Sequence, residues 1–478
     1  MVAYSVLAVG LLGAQGAVAS LKSDGSAMAK LMEAKEADWK AAADKGTFLI
    51  SKFLKKVTSF QPCINGKAGR GVNSTYTCNN VNLHGFISHD ELGTSTTAAD
   101  AIRGNDVWGW TSPDGREFGL VGQVDGTAFV ELNTRTGTLD YLGRLNTQTV
   151  SASWRDIKVI GHYAYIGSEA AGHGLQIFDL NKLLDIKKWW NPFWQPVVFD
   201  KIKDISLFTG FGATHNIVAF PERNLIFGVG GREGANARNT TCAGGPFAVD
   251  VSDPLKPFSP GCIGQDGYTH DAQCVVYNGP SEKYLGKDIC FGYNEDSLTV
   301  YDVTDIKAPL VVSSTPYFGS RYSHQGWLID STDHTFLLLD DELDERDGTV
   351  GPATNKRTTT YIWNVTNLEA PVNSGFYQSP KRSIDHNQYT REGLTYQSNY
   401  ASGLRIVDVS GVPIDPTGGN MKETGFFDVY PEDDAGEGEV AFLGTWSNYP
   451  YFNSRYILVN SIERGIFSVK YTGRKAAF

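Results

Sequence analysis

Short runs in which apolar and polar residues alternate dominate the chain from about Gly104 onward, which predicts strands joined by tight turns. One long stretch differs. From Ser23 to about Asp44, Met28, Leu31, Met32, Ala34 and Trp39 fall on one helical face, with Lys and Glu on the other. The strand-rich part is self-similar, at intervals of about 50–60 residues. Each unit opens on a polar pair: Asn105-Asp106, Arg155-Asp156, His215-Asn216, His270-Asp271, His324-Gln325, His386-Asn387 and Trp446-Ser447. Each closes on an apolar-Asp-Val-Ser/Thr-like strand: Val130-Glu131-Leu132, Phe178-Asp179-Leu180, Val249-Asp250-Val251, Tyr301-Asp302-Val303, Trp363-Asn364-Val365, Val407-Asp408-Val409 and Phe467-Ser468-Val469. Seven units of this size predict an all-β fold, a seven-bladed β-propeller with a short N-terminal helical extension. Pro after several closing strands, as in Lys307-Ala308-Pro309, marks the exit from a sheet.

Composition changes this picture only at the margins. The 478 residues include 52 Gly and are 12% aromatic, which suits many turns and short strands. The net charge of −11 argues against nucleic acid as a partner, since that would need a basic face. Tyr4 to Ala19 is uncharged, apolar and ends in Ala17-Val18-Ala19, so residues 1–19 read as a secretory signal peptide. Residues 20–60 read as a helical extension, either a pro-segment or a helix packed on the main domain. Residues 61–103 read as a disulfide-containing lead-in, and 104–472 as the propeller. No later run predicts a membrane anchor.

Two further features agree with export. Six Cys fall as local pairs, Cys63 with Cys78, Cys242 with Cys262 and Cys274 with Cys290, and these pairings are expected as disulfides. Three sequons, at Asn73, Asn239 and Asn364, become N-glycosylation candidates in an exported chain. A secreted, extracellular monomer follows as the expectation.

At the repeats the chain resembles a known family. Thr269-His270-Asp271-Ala272-Gln273-Cys274, Tyr322-Ser323-His324-Gln325-Gly326-Trp327, Ile384-Asp385-His386-Asn387, Asn105-Asp106-Val107-Trp108-Gly109-Trp110 and Ser461-Ile462-Glu463-Arg464-Gly465 are similar to the choice-of-anchor B family, whose propellers are built from LVIVD repeats. The resemblance runs from about Cys63 to Tyr471. It implies a propeller that is exported or surface-held, and it implies no catalytic activity.

In a propeller, matching positions of the first strands line the channel. His215, His270, His324 and His386 then form an arc from four consecutive blades, beside Arg155 and Asp156, with Asp271 and Asp385 adjacent. Imidazoles converging with carboxylates suit a divalent metal or acid–base chemistry. The competing reading is structural, with each His donating to a backbone carbonyl of the next blade. The acidic run Asp340 to Glu345 reads as a solvated loop, with calcium as the alternative. The aromatic insertion Trp189 to Trp194 reads as a packed lid or an exposed stacking surface. No G-x-S-x-G, H-E-x-x-H or P-loop is present. The expectation is therefore a secreted binding or surface-interaction protein for an extracellular ligand or partner. The alternative is an extracellular metal-assisted hydrolase or lyase using the same His/Asp ring.

Overall fold

The computed structural model describes residues 23–71, 73–94, 102–186 and 193–473. The expected signal peptide and residues 189–192 of the aromatic insertion lie outside them. Seven antiparallel sheets form a ring, so the chain is a seven-bladed β-propeller. The inner strands, blades 1 to 7, are Gly104–Thr111, Arg155–Ile160, Asn216–Phe220, Asp271–Val276, Ser323–Leu328, Asn387–Arg391 and Thr445–Tyr449. Each touches the next in chain order, and the seventh touches the first.

The two repeat signals have separate physical causes. The apolar-Asp-Val-Ser/Thr strand is the third of each blade, and its Asp or Asn turns the chain out of the sheet. Asp250 Oδ1 accepts from Ser252 N, Asp302 Oδ1 from Thr304 N, Asp408 Oδ1 from Ser410 N and Asn364 Oδ1 from Thr366 N. These are Asx turns, which Asp and Asn make because a short side chain reaches the backbone two residues on. The opening pair begins the inner strand, and in blades 1, 2 and 5 its second member ties that blade to the next. Asp106 accepts from Ile157 N at 3.0 Å, Asp156 from Ile217 N at 2.6 Å and Gln325 from Gln388 N at 3.0 Å. A buried amide on an inner strand needs such a partner.

The lead-in at 61–103 is not separate from the propeller, contrary to the sequence boundary. Val81–Ser88 is the outer strand of blade 7, antiparallel to Gly465–Tyr471. The C-terminal part of the chain supplies only three strands to that blade, which would leave Gly465–Tyr471 as an open edge. Thr75–Asn79 and Lys67–Gly69 continue outward from blade 6. Blade 1 gains a fifth, parallel strand at Val197–Phe199, just after the aromatic insertion. Trp194 packs under it against the core between blades 1 and 2, while Phe193 is exposed.

All three expected disulfides are formed, Cys63–Cys78, Cys242–Cys262 and Cys274–Cys290. They point to an oxidising compartment. No described helix is long and apolar enough to cross a membrane. Cys242–Cys262 closes a loop with a sequence separation of 20 across blade 3. Replacing both by Ala is expected to cost about 3 kcal/mol, read as a lowered midpoint in guanidinium unfolding.

Candidate functional site

The N-terminal helix, Ser26–Asp44, lies across one mouth of the channel. Its buried stripe is Met28, Leu31, Lys35, Trp39 and Ala42, the spacing of one helical face. The apolar members pack on Trp154, Tyr268, Tyr322, Ile384, Phe442 and Trp446, which come from several blades around the ring. Glu295 caps the helix, accepting from Gly25 N at 2.8 Å and Met28 N at 2.9 Å. A carboxylate there also complements the helix dipole. Trp39 Nε1 donates to Phe442 O at 2.8 Å.

Beneath the helix the four histidines do converge. Successive ring centroids, from His215 through His270 and His324 to His386, are 4.5, 4.1 and 4.4 Å apart. His270 Nδ1 lies 2.6 Å from His324 O, and His386 Nδ1 lies 2.6 Å from Trp446 O. A carbonyl only accepts, so both Nδ1 atoms carry the proton and both Nε2 atoms keep a lone pair. These two bonds are the blade ties that a structural role requires. His215 Nδ1 instead faces Glu169 Oε1 at 2.6 Å. Burial first, with Lys35 and the neighbouring imidazoles adding to it, pushes the titration of His270, His324 and His386 well below the ordinary histidine range, which favours the neutral rings.

The centre of this arc is Glu342, which sequence reasoning placed in a solvated acidic loop. Asp340, Asp341, Glu342, Asp344 and Glu345 are in fact all buried. Glu342 Oε2 is 3.4 Å from His324 Nε2, and Oε1 is 3.5 Å from His386 Nε2. Lys35 Nζ, reaching down from the helix, is 2.6 Å from Glu342 Oε1, and Tyr400 Oη donates to the same oxygen. Burial raises the Glu342 carboxyl, with Lys35 opposing, and burial lowers the Lys35 ammonium, with Glu342 opposing.

The remaining ring candidates do not join the histidines. Arg155 is buried and donates to Gln123 O at 3.1 Å, with His173 Nε2 at 3.2 Å. Asp385 is buried beside Asp340, Asp344 and Asp341, and burial raises its carboxyl well above the usual range. Asp156 and Asp271 belong to a second polar centre, around Lys158. Lys158 Nζ lies 2.7 Å from Asp156 and 3.6 Å from Asp106. Burial drives the Asp106 carboxyl well above its usual range. Burial is also the largest influence on Asp156, but Lys158 and hydrogen bonds from Asp106, Lys158 and Ile217 N together outweigh it and leave that carboxyl low. Burial, with Asp156 nearby, pushes Asp271 up to about 8.

That second centre lies by the open end of the channel. A cavity of about 680 Å³ is lined there by Trp108, Lys158, Asp271, Gln273, Trp327, Tyr389 and Tyr451, among others. Trp108 and Trp327 both meet Tyr389 in T-shaped contacts, with centroids 5.5 and 5.1 Å away. The signal for this wall was in the repeats. Three residues beyond the first member of the first six opening pairs come Trp108, Lys158, Val218, Gln273, Trp327 and Tyr389, and all six line the cavity; the seventh pair places Tyr449 there, outside it. Three strand residues advance about 10 Å along the axis, from the histidine layer to the open mouth.

Of the sequons, Asn73 and Asn239 are exposed, while Asn364 is half-buried with its Oδ1 held by Thr366 N.

No protein-family model and no curated protein matches the chain. Among solved structures, it is similar to the β-propeller domain of Cps50 (Swd1) from Myceliophteria thermophila, at 12% identity and a TM-score of 0.44. The match covers 77% of this chain and 95% of that one.

Proposed function

We propose that this propeller is a secreted, N-glycosylated binding protein, with a neutral oligosaccharide as the ligand of its open channel mouth. The observation that carries the reading is the cavity of about 680 Å³, with Trp108, Trp327, Tyr389 and Tyr451 on its wall and Lys158 and Asp271 on its floor. A concave, mostly apolar pocket with a few convergent polar groups is the usual form of a small-ligand site. The C–H face of a sugar ring stacks on aromatic rings, and its hydroxyls bond to polar groups around them. The floor carries little net charge. Asp156 neutralises Lys158, and Asp271 keeps its proton below about pH 8, which favours a neutral glycan over a charged one. Secretion is supported by the disulfides and by the apolar Tyr4 to Ala19 segment. The histidine arc, closed over by the helix, is not the ligand mouth in this reading.

Purified protein is expected to bind neutral oligosaccharides on a glycan array. Trp327→Ala should weaken binding about ten-fold, the worth of one aromatic contact, with folding intact. An array blank for the unsubstituted protein removes the proposal.

The hydrolase or lyase alternative is favoured by one observation, the protonated Asp271 beside that cavity, a group able to act as a general acid. Reducing ends released by the protein and lost in Asp271→Asn, with binding retained, would carry it. Binding with no release removes it.

A further inference from the structure

We propose that His324, Glu342 and His386 form a latent site for a zinc-class divalent cation, and that Lys35 of the N-terminal helix gates it by holding its own ammonium in the cation's place. This is independent of the sugar reading, since it concerns the opposite end of the channel. Three observations carry it.

The first is spacing. Two ligand atoms bound about 2.05 Å from a tetrahedral zinc stand about 3.3 Å apart. Glu342 Oε2 is 3.4 Å from His324 Nε2 and Glu342 Oε1 is 3.5 Å from His386 Nε2, so the carboxylate spans both rings, and one ligand atom from each of the three residues lies within 4.8 Å of the others. These separations are too long for good hydrogen bonds and right for shared coordination.

The second is orientation. His386 presents a bare Nε2 because its Nδ1–H is tied to Trp446 O. A backbone carbonyl on the far ring nitrogen is how metal-binding histidines are commonly fixed. His270 is tied in the same way to His324 O, and its Nε2 is buried with no partner. His324 Nδ1 and Glu342 Oε2 also lack hydrogen-bond partners. Buried polar atoms left over in one place mark an incomplete centre.

The third is the plug. Lys35 is 1% exposed, and it breaks an otherwise apolar helical stripe to reach Glu342. Its ammonium stands 5.2 Å from the Trp446 ring centroid and 5.5 Å from that of Phe442, a cage that favours a cation. The helix precedes the first disulfide in the chain, with exposed Lys52 and Lys55 between. The gate is thus held by packing, ion pairs and hydrogen bonds, and none of the three disulfides ties the helix to the blades.

The test is a Co(II) titration of the full chain and of Lys35→Met, followed by visible spectra and metal content after dialysis. Lys35→Met is expected to retain one Co(II) per chain, with d–d bands, at least roughly ten-fold more tightly than the unsubstituted protein. Adding His324→Ala and His386→Ala should abolish this. If Lys35→Met is unfolded alone, Co(II) should restore its cooperative melt, because binding to a folded site is folding free energy. A Lys35→Met chain that neither binds Co(II) above the unsubstituted level nor is refolded by it overturns the proposal. So does uptake that survives the two His→Ala changes.

Discussion

A Glu342→Ala variant is expected to lose about 3–5 kcal/mol of folding stability, more than any other single substitution considered for this chain. Glu342 is fully buried and answers the buried Lys35 ammonium at 2.6 Å. It also receives the Tyr400 hydroxyl and faces two neutral histidines. Removing it leaves a charge without a counter-charge in a wall of Tyr400, Phe442 and Trp446. The companion prediction separates this cost from simple loss of packing. Glu342→Gln combined with Lys35→Met removes both charges at nearly constant volume, and most of the stability should return. Guanidinium unfolding of the two variants measures the difference. A loss below about 1 kcal/mol in Glu342→Ala would show that water reaches the pair.

The second large effect is on pH. Burial raises Asp271 to about 8, Asp428 to about 8 and Glu463 to about 7. In the unfolded chain these groups titrate near 4. A carboxyl whose folded pKa is raised gives its full contribution below the unfolded value, and that contribution is lost as pH rises through the folded value. The buried histidines work in the opposite sense. His89 and His173 are lowered by burial to about 4 and about 3, so the native state resists the protons that the unfolded chain takes up below about 6.5. Above pH 6.5 the histidines are neutral in both states and the carboxyls act alone. Each proton of difference is worth about 1.4 kcal/mol per pH unit. Stability should therefore fall between pH 6.5 and 8, and the melting temperature with it by about 4 °C per pH unit at the steepest point. A melting temperature that holds or climbs over that interval would mean these carboxyls are ionised in the folded chain. Asp271→Asn should flatten the slope measurably.

The repeat architecture was legible because each repeat residue has a local duty. Asp250, Asp302 and Asp408 close their own turns, and that duty prints the same letters each time. The histidine arc was legible for a similar reason, since matching positions must meet at a ring's axis. What could not be read depends on partners far away in the chain. Val81–Ser88 alternates like any strand, but its partner lies at the other end of the sequence. Lys35 sat among the charged residues of an amphipathic helix. Only the docked helix turns it inward, and the same docking buries Glu342 within a run that looks solvated. Asp156 looked like ring chemistry, yet it spends an oxygen on a backbone amide of the next blade, as Asp106 does. The cavity wall was present as a three-residue offset from the opening pairs, spread over Trp108, Trp327 and Tyr389.

Closure of the ring by Val81–Ser88 also sets an order of events during synthesis. Val81 pairs with Tyr471 and Ser88 with Gly465, so an early strand lacks its blade 7 partner until nearly the whole chain has been made. Six blades can form from sequence-local hairpins, while the seventh is a long-range contact whose loop-closure entropy is met last. A nascent or truncated chain that stops before Gly465 carries two open sheet edges and no way to join them. Completion is thus signalled by the fold itself. Until the last strand arrives, the protein is a row of blades with sticky ends, and quality control has a single late event to read.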